Sequence, residues 1–248
     1  MKYVFPWRVR LCPDPFIVGS AFLIGTMLSL SAQISPPPQA APLEAIPNPV
    51  APPPTNAAPV QTDPFDDPLI KQIRVRHEKA VNGDSKETKA LTTDLEKWTQ
   101  EQPTNFLLQA YLGSVYTLDS RDAWIGPGKL AYLKKGGQWL DAAVSSAPDN
   151  PAVRFVRAID YFELPAIFGK RQTARDDFQI LLKQVDGEVK TPYVLNLETQ
   201  QAIYLYAGRS SYQLSQYLQA KEAWVRGYKL APASDLGKQI GDELMKVK

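Results

Sequence analysis

The sequence predicts an all-α fold built from successive pairs of antiparallel helices, and three observations carry that prediction. The first is the stretch from Tyr204 to Pro232. Ala207 and Gly208 lie on one helix and Ala220 and Gly227 on the next, so no bulky side chain holds the two axes apart. Trp224 falls four residues after Ala220 and three before Gly227, which puts all three on one stripe, with the indole filling the space between small residues. The second is recurrence: helix-length segments close at Pro103, Pro148 and Pro232, and proline ends a helix by removing a donor. The third is negative. No long run alternates Val and Ile with polar residues, so a sheet domain is not expected.

The pattern of an aromatic, a small pair, a downstream Ala, an aromatic, another small residue and a closing Pro resembles the tetratricopeptide repeat, of about 34 residues. Ala207 stands where that pattern has Leu, and Gly227 where it has its second Ala. The resemblance implies a right-handed helical-hairpin solenoid of about four such repeats, closed by a C-terminal capping helix, in an exported bacterial-type protein. Such folds ordinarily bind proteins or peptides and carry no chemistry of their own.

Taken in order, the chain opens on residues 1–32. Lys2, Arg8 and Arg10 precede an uncharged apolar run from Phe16 to Leu30, followed by Ser31 and Ala32. This is the layout of a signal peptide cleaved near Ser31 or Ala32, or of a retained signal anchor, the run being shorter than the roughly 20 residues of a full membrane span. The one cysteine, Cys12, lies ahead of the apolar run, where a lipid-modified cysteine cannot be; cleavage leaves a chain without disulfides or thiolate chemistry. Residues 33–67 are rich in Pro, Ala, Asn and Gln, with Pro36-Pro37-Pro38 and Pro52-Pro53-Pro54. They read as a disordered, extended linker of up to roughly 100 Å that buries no core, serving as a spacer or as a Pro-rich ligand.

The helical domain is expected over 68–248. Asp67-Pro68 reads as cap and first position of a helix to Val81; Asn82-Gly83-Asp84 turns into a second over Lys86 to Gln100, with Leu91, Leu95 and Trp98 on its inner face. His77 has no second histidine near it and reads as exposed or structural, not as a metal ligand. Thr104 is the expected cap of the next pair, which carries Leu112-Gly113 and Tyr116, then Gly136, Leu140 and Ala143, before Pro148. Asn150-Pro151 starts the third pair, with Ala158 and Tyr161 followed by Ala174, Phe178 and Leu181. A longer link, Gly187 to Asn196, leads to the pair around Trp224. Leu236, Ile240, Leu244 and Val247 then form the apolar stripe of a final capping helix.

Against the repeat length two turns are enlarged: Thr117 to Ala131 by about eleven residues and Leu164 to Arg171 by about four. In a stack of hairpins these turns emerge on one edge, so their residues are expected to pool. Trp124, Ile167 and Phe168 would form an apolar floor, with Arg121, Lys129, Lys170 and Arg171 as cations and Asp119 and Asp122 as counter-charges. The competing reading makes the aromatics plugs that seal the helices. The resemblance implies a second surface, the concave groove of the first helices, with Gln109, Arg154, Arg157, Tyr204 and Arg209.

No metalloprotease, nucleophile-elbow, phosphate-loop or dinucleotide motif occurs, and Asp141, Asp149, Asp176 and Asp177 read as solvated carboxylates. No catalytic residue, cofactor or metal is expected. A net charge of +2 with interspersed signs argues against nucleic acid. The functional expectation is an exported, non-enzymatic scaffold, periplasmic or extracellular, that binds a protein or peptide. The alternatives are a membrane-anchored envelope assembly factor, touching membrane only if the apolar segment is retained, and a small-ligand binder.

Overall fold

The computed structural model describes residues 60–122 and 127–247. The signal or anchor segment, most of the Pro-rich linker and Trp124 lie outside the described residues. Within them the chain is all-helical apart from one isolated backbone bridge. A turn of 3-10 helix, Pro64–Asp66, precedes α1 (Pro68–Val81), α2 (Ser85–Glu101), α3 (Phe106–Asp122) and α4 (Pro127–Ser146). Then come α5 (Pro151–Glu163), a second 3-10 turn (Ala166–Phe168), α6 (Arg171–Val185), α7 (Leu197–Gln213), α8 (Tyr217–Leu230) and α9 (Asp235–Lys246).

Local chemistry sets most of these boundaries. Asp67 Oδ1 accepts from the amides of Leu69 and Ile70 at 2.8 and 3.1 Å, with Pro68 at the first helical position. Asn150 does the same for Ala152 and Val153 ahead of α5, again beside a proline. These are orphan amides that the helix cannot satisfy itself. Asp84 caps α2 through Glu87 N, after Gly83 adopts φ +102°, which a side chain would disfavour. For α3 the capping acceptor is Asn105, which takes the Leu108 amide at 3.3 Å, not the expected Thr104.

Each helix packs on the next, and the first helices α1, α3, α5 and α7 also touch one another in order, while α9 covers α7 and α8. Close approach occurs at the predicted small residues. A Cβ on Gly113 would stand 2.8 Å from the Gly136 carbonyl oxygen, and one on Gly136 2.7 Å from that of Gly113. In the last pair Trp224 lies on Gly208, its Nε1 donating to Leu205 O at 3.0 Å, and Gly227 lies on Tyr204. The core is one continuous apolar cluster. Leu236 and Ile240 of α9 belong to it, with Leu244 and Val247 packed at its margin.

Two features differ from expectation. The folded body begins before Pro68: Phe65 is 2 % exposed and meets Phe155 edge-on at 6.0 Å, with the Arg74 guanidinium 5.2 Å from its ring centre. Asp63 accepts from Phe65 N and Asn196 N, and Gln61 exchanges backbone hydrogen bonds with Pro192 and Val194. The end of the 33–67 segment thus does bury core, because a slot beside Phe155 accepts its one large aromatic side chain. The second difference is the first enlarged turn. Its extra residues lengthen α3 and α4 instead of forming a long loop, since Thr117 to Asp122 contain no helix breaker and Pro127 is suited to a first helical position.

Candidate functional site

α3 is buried without a break from Leu107 to Thr117, and α5 from Pro151 to Phe162 except at Arg157. Side chains that the resemblance implied would line a groove therefore meet other helices. Arg154 Nη1 donates to Asp177 Oδ1 at 2.8 Å and its Nη2 to Pro148 O at 2.8 Å. Arg157 grips both oxygens of the same carboxylate, at 2.8 and 2.7 Å, and reaches Asp141 at 3.1 Å. Asp177, with a side chain 3 % exposed, is the buried hub of a clamp joining α4, α5 and α6, not a solvated carboxylate.

The remaining groove candidates are also engaged inside the fold. Tyr204 is in the core and donates to Asp186 at 2.5 Å. Arg209 pairs with Glu243 of α9 at 2.8 Å and lies over Tyr206, and Gln109 donates to Pro103 O. Four of these five side chains thus join helices to one another, and Gln109 ties α3 to the turn before it.

Each enlarged turn sets charged residues against the helix pair before it, so the two sets do not pool. Arg121 donates to the Ala80 and Val81 carbonyls, closing the C-terminus of α1, and Asp119 accepts from Thr92 of α2. Both therefore face the preceding pair. Lys170 likewise reaches back to α4: its Nζ donates to Tyr161 OH at 3.2 Å, lies 4.3 Å from that ring centre and stands 3.6 Å from Asp141. Tyr161 OH in turn donates to Gly137 O at 3.2 Å. These contacts seat the α5–α6 turn against the middle of α4, so the first turns of α4, Pro127 onward, project roughly 15 Å beyond that level at 1.5 Å per residue. Lys129, Leu130, Tyr132 and Lys134 are exposed there. Ile167 is 87 % exposed and Phe168 38 %, so neither is a buried plug. Arg171 is half-buried, its Nε without a hydrogen-bond partner among the described residues, and Asp122 ends α3.

Sequence reasoning did not find the buried polar chain that ties α1, α3 and α5. Thr117 Oγ1 and Ser114 Oγ donate to Asp160 Oδ1 at 2.9 and 3.0 Å, and His77 Nε2 lies 2.8 Å from Ser114 Oγ. With the serine proton directed at Asp160, the imidazole donates from Nε2. Burial, aided by the Arg121 charge, holds His77 down to about 4. Burial pushes Asp160 up to about 7 against the two hydroxyl bonds, and its Oδ2 has no partner among the described residues. Ser114 is 1 % exposed, sealed between imidazole and carboxyl, which is a packing arrangement and not a presented nucleophile. The available sequence signal was polar residues inside apolar stripes, Asp160 within Pro151 to Glu163 above all.

At the other edge an open basin of about 710 Å³ is lined by the α2–α3 turn from Glu101 to Leu107, with Ala147, Asn150 and Tyr193. Among the described residues no cluster of three or more His, Cys, Asp or Glu could hold a metal ion, and no helix is long and apolar enough to cross a membrane. Compared with known proteins, the chain matches no family model, no curated protein and no solved structure.

Proposed function

We propose that this chain is an exported, non-enzymatic interaction scaffold, a right-handed solenoid of four tetratricopeptide-like helix pairs capped by α9, which binds a protein or peptide partner. The observation that carries this reading is the close contact at a small residue that recurs in the second and fourth pairs, Gly113 on Gly136 and Gly208 on Trp224. Stacked pairs of this kind build a surface from many copies of one unit, suited to binding more than to chemistry. The partner face is the edge where α4 projects past the α5–α6 turn, because Leu130, Tyr132, Ile167 and Phe168 are exposed there beside Lys129 and Lys134.

Affinity capture from the native envelope with the full chain tests it. Leu130→Asp with Ile167→Asp is expected to lose the protein captured by the parent chain while the melting temperature stays within about 2 °C, both sites being exposed. Retention of that protein overturns the assignment of the face. A second reading, a membrane-anchored assembly factor, is favoured by the apolar run from Phe16 to Leu30 ahead of a Pro-rich spacer. Sequencing the mature N-terminus separates the two: a start near Ala32 supports the released form, a retained Met1 the anchored one.

A further inference from the structure

The register of α4 against α5 exposes a ledge whose chemistry specifies an occupant. The short connection from Ser146 to Pro151 brings α5 back antiparallel to α4, and Tyr161 meets Gly137. Two residues later α5 ends at Glu163, since Leu164 precedes Pro165 and takes extended angles, φ −67° and ψ 141°. α4 continues past that point for Pro127 to Lys134, about two more turns. Leu130, Lys134, Gly137 and Asp141 recur at spacings of four, three and four, so they share one stripe of α4. Its second half is covered, Gly137 by Tyr161 and Asp141 by Arg157 and Lys170. Its first half, Leu130 at 62 % exposure and Lys134, faces the place that two further turns of α5 would have filled. Ile167 and Phe168 lie in the turn that follows.

Charge restricts what can lie there. From Ala123 to Leu140 the sequence has Lys129, Lys134 and Lys135 and no carboxylate. Lys135 is directed to α2 and α3, 4.0 Å from Glu96 and over the Tyr116 ring. Lys129 and Lys134 make no ion pair among the described residues. Asp141 is already shared by Arg157 and Lys170, and the strongest opposing charge acting on Glu163, at the end of α5, is Arg209 of α7.

We infer that this ledge, between the exposed Leu130–Lys134 stripe of α4 and the Ile167–Phe168 turn, binds a short acidic amphipathic helix of a partner protein. This rests on the interaction-scaffold reading above and names the partner's chemistry. The occupant takes the position that α5 leaves uncovered, is two to three turns long, sets apolar side chains on Leu130 and Ile167, and presents Asp or Glu to Lys129 and Lys134. A bilayer fits less well. Lys129 and Lys134 are two cations, fewer than the cluster of about four to eight that an anionic membrane surface ordinarily engages.

Fluorescence anisotropy with the full chain tests the inference. The probes are a labelled 12-residue helical peptide with a Leu/Ala apolar face and a Glu polar face, and a twin with Lys in place of Glu. The full chain is expected to bind the Glu peptide at least tenfold more tightly than the twin. Lys129→Glu with Lys134→Glu should reverse the preference, and Ile167→Ser should weaken the Glu peptide severalfold without changing which peptide is preferred. An unchanged preference in the double lysine variant overturns the inference. So does absence of saturable binding, or binding to 70:30 phosphatidylcholine:phosphatidylglycerol vesicles that depends on the two lysines while the Glu peptide shows none. If partner capture depends on Leu130 and Ile167 but the Glu peptide does not bind, only this inference fails. If capture ignores those residues, the scaffold reading of the face fails as well, whatever the peptide does.

Discussion

Replacing Gly208 by Ala puts the tightest contact in the last helix pair to a quantitative test. The new methyl would stand 2.2 Å from Trp224 Nε1 and 2.5 Å from its Cδ1 and Cε2. Favourable carbon contacts lie near 3.5 to 4.0 Å, so the indole or the α7–α8 spacing has to shift by more than about 1 Å. Neither shifts freely, because Trp224 is 1 % exposed, bonded to Leu205 O and set against Tyr212. Overpacking of this kind costs about 1–3 kcal/mol and the displaced hydrogen bond about 1 more, offset by about 1 from replacing glycine within a helix. The net expectation is a loss of about 2 kcal/mol, read by urea denaturation, or about 4–8 °C in Tm for a body of this size. Trp224→Leu alone should cost about 3 kcal/mol, yet the double variant should be at least about 1 kcal/mol better than the sum, since leucine makes room for the methyl. Additive costs, or a neutral Gly208→Ala, would refute the close approach of α7 and α8.

Two other outcomes follow from the buried groups. Asp160 keeps its proton to about pH 7 in the fold against 3.8 as its ordinary value, so its contribution to stability is lost as pH rises from about 4 through 7. His77 is neutral down to about 4 against 6.5, so its contribution is lost as pH falls from 6.5 through 4. The slopes oppose one another, and His77→Gln should uncover the first: relative to the parent, stability by urea denaturation declines from pH 5 to 7, by up to about 1.4 kcal/mol per pH unit. A parallel pH profile in the two proteins would contradict the assignment. For the leading segment, Phe65→Ala in the full chain should cost about 3–5 kcal/mol by the same measurement, because the ring is enclosed by Phe155 and Arg74. A cost below about 1 kcal/mol would mean that the segment is not part of the core.

Helix starts and close contacts were legible because their causes are local. Asp67-Pro68 and Asn150-Pro151 carry cap and first position in adjacent residues, and Ala207, Gly208, Ala220, Trp224 and Gly227 mark their packing by spacing alone. The site was less legible. Enlarged turns on one edge would bring Arg121, Lys170 and Phe168 together, but the first enlargement is mostly helix, Arg121 is spent on the end of α1, and Lys170 is spent on Tyr161 and Asp141. Arg154 and Arg157 look like surface cations until Asp177 is set between them from twenty or more residues away.

Helices, their order in pairs and the points of nearest approach can thus be read along the chain, since capping, proline breaks and small-residue stripes act within a few residues. Packing between distant helices is what brings Phe65 into the core, joins His77, Ser114 and Asp160 in one buried chain, and leaves Leu130 exposed. Each of these depends on which distant helix arrives opposite a given residue, and at what register, and burial there decides whether a charge is solvated, neutralised or left exposed for a partner.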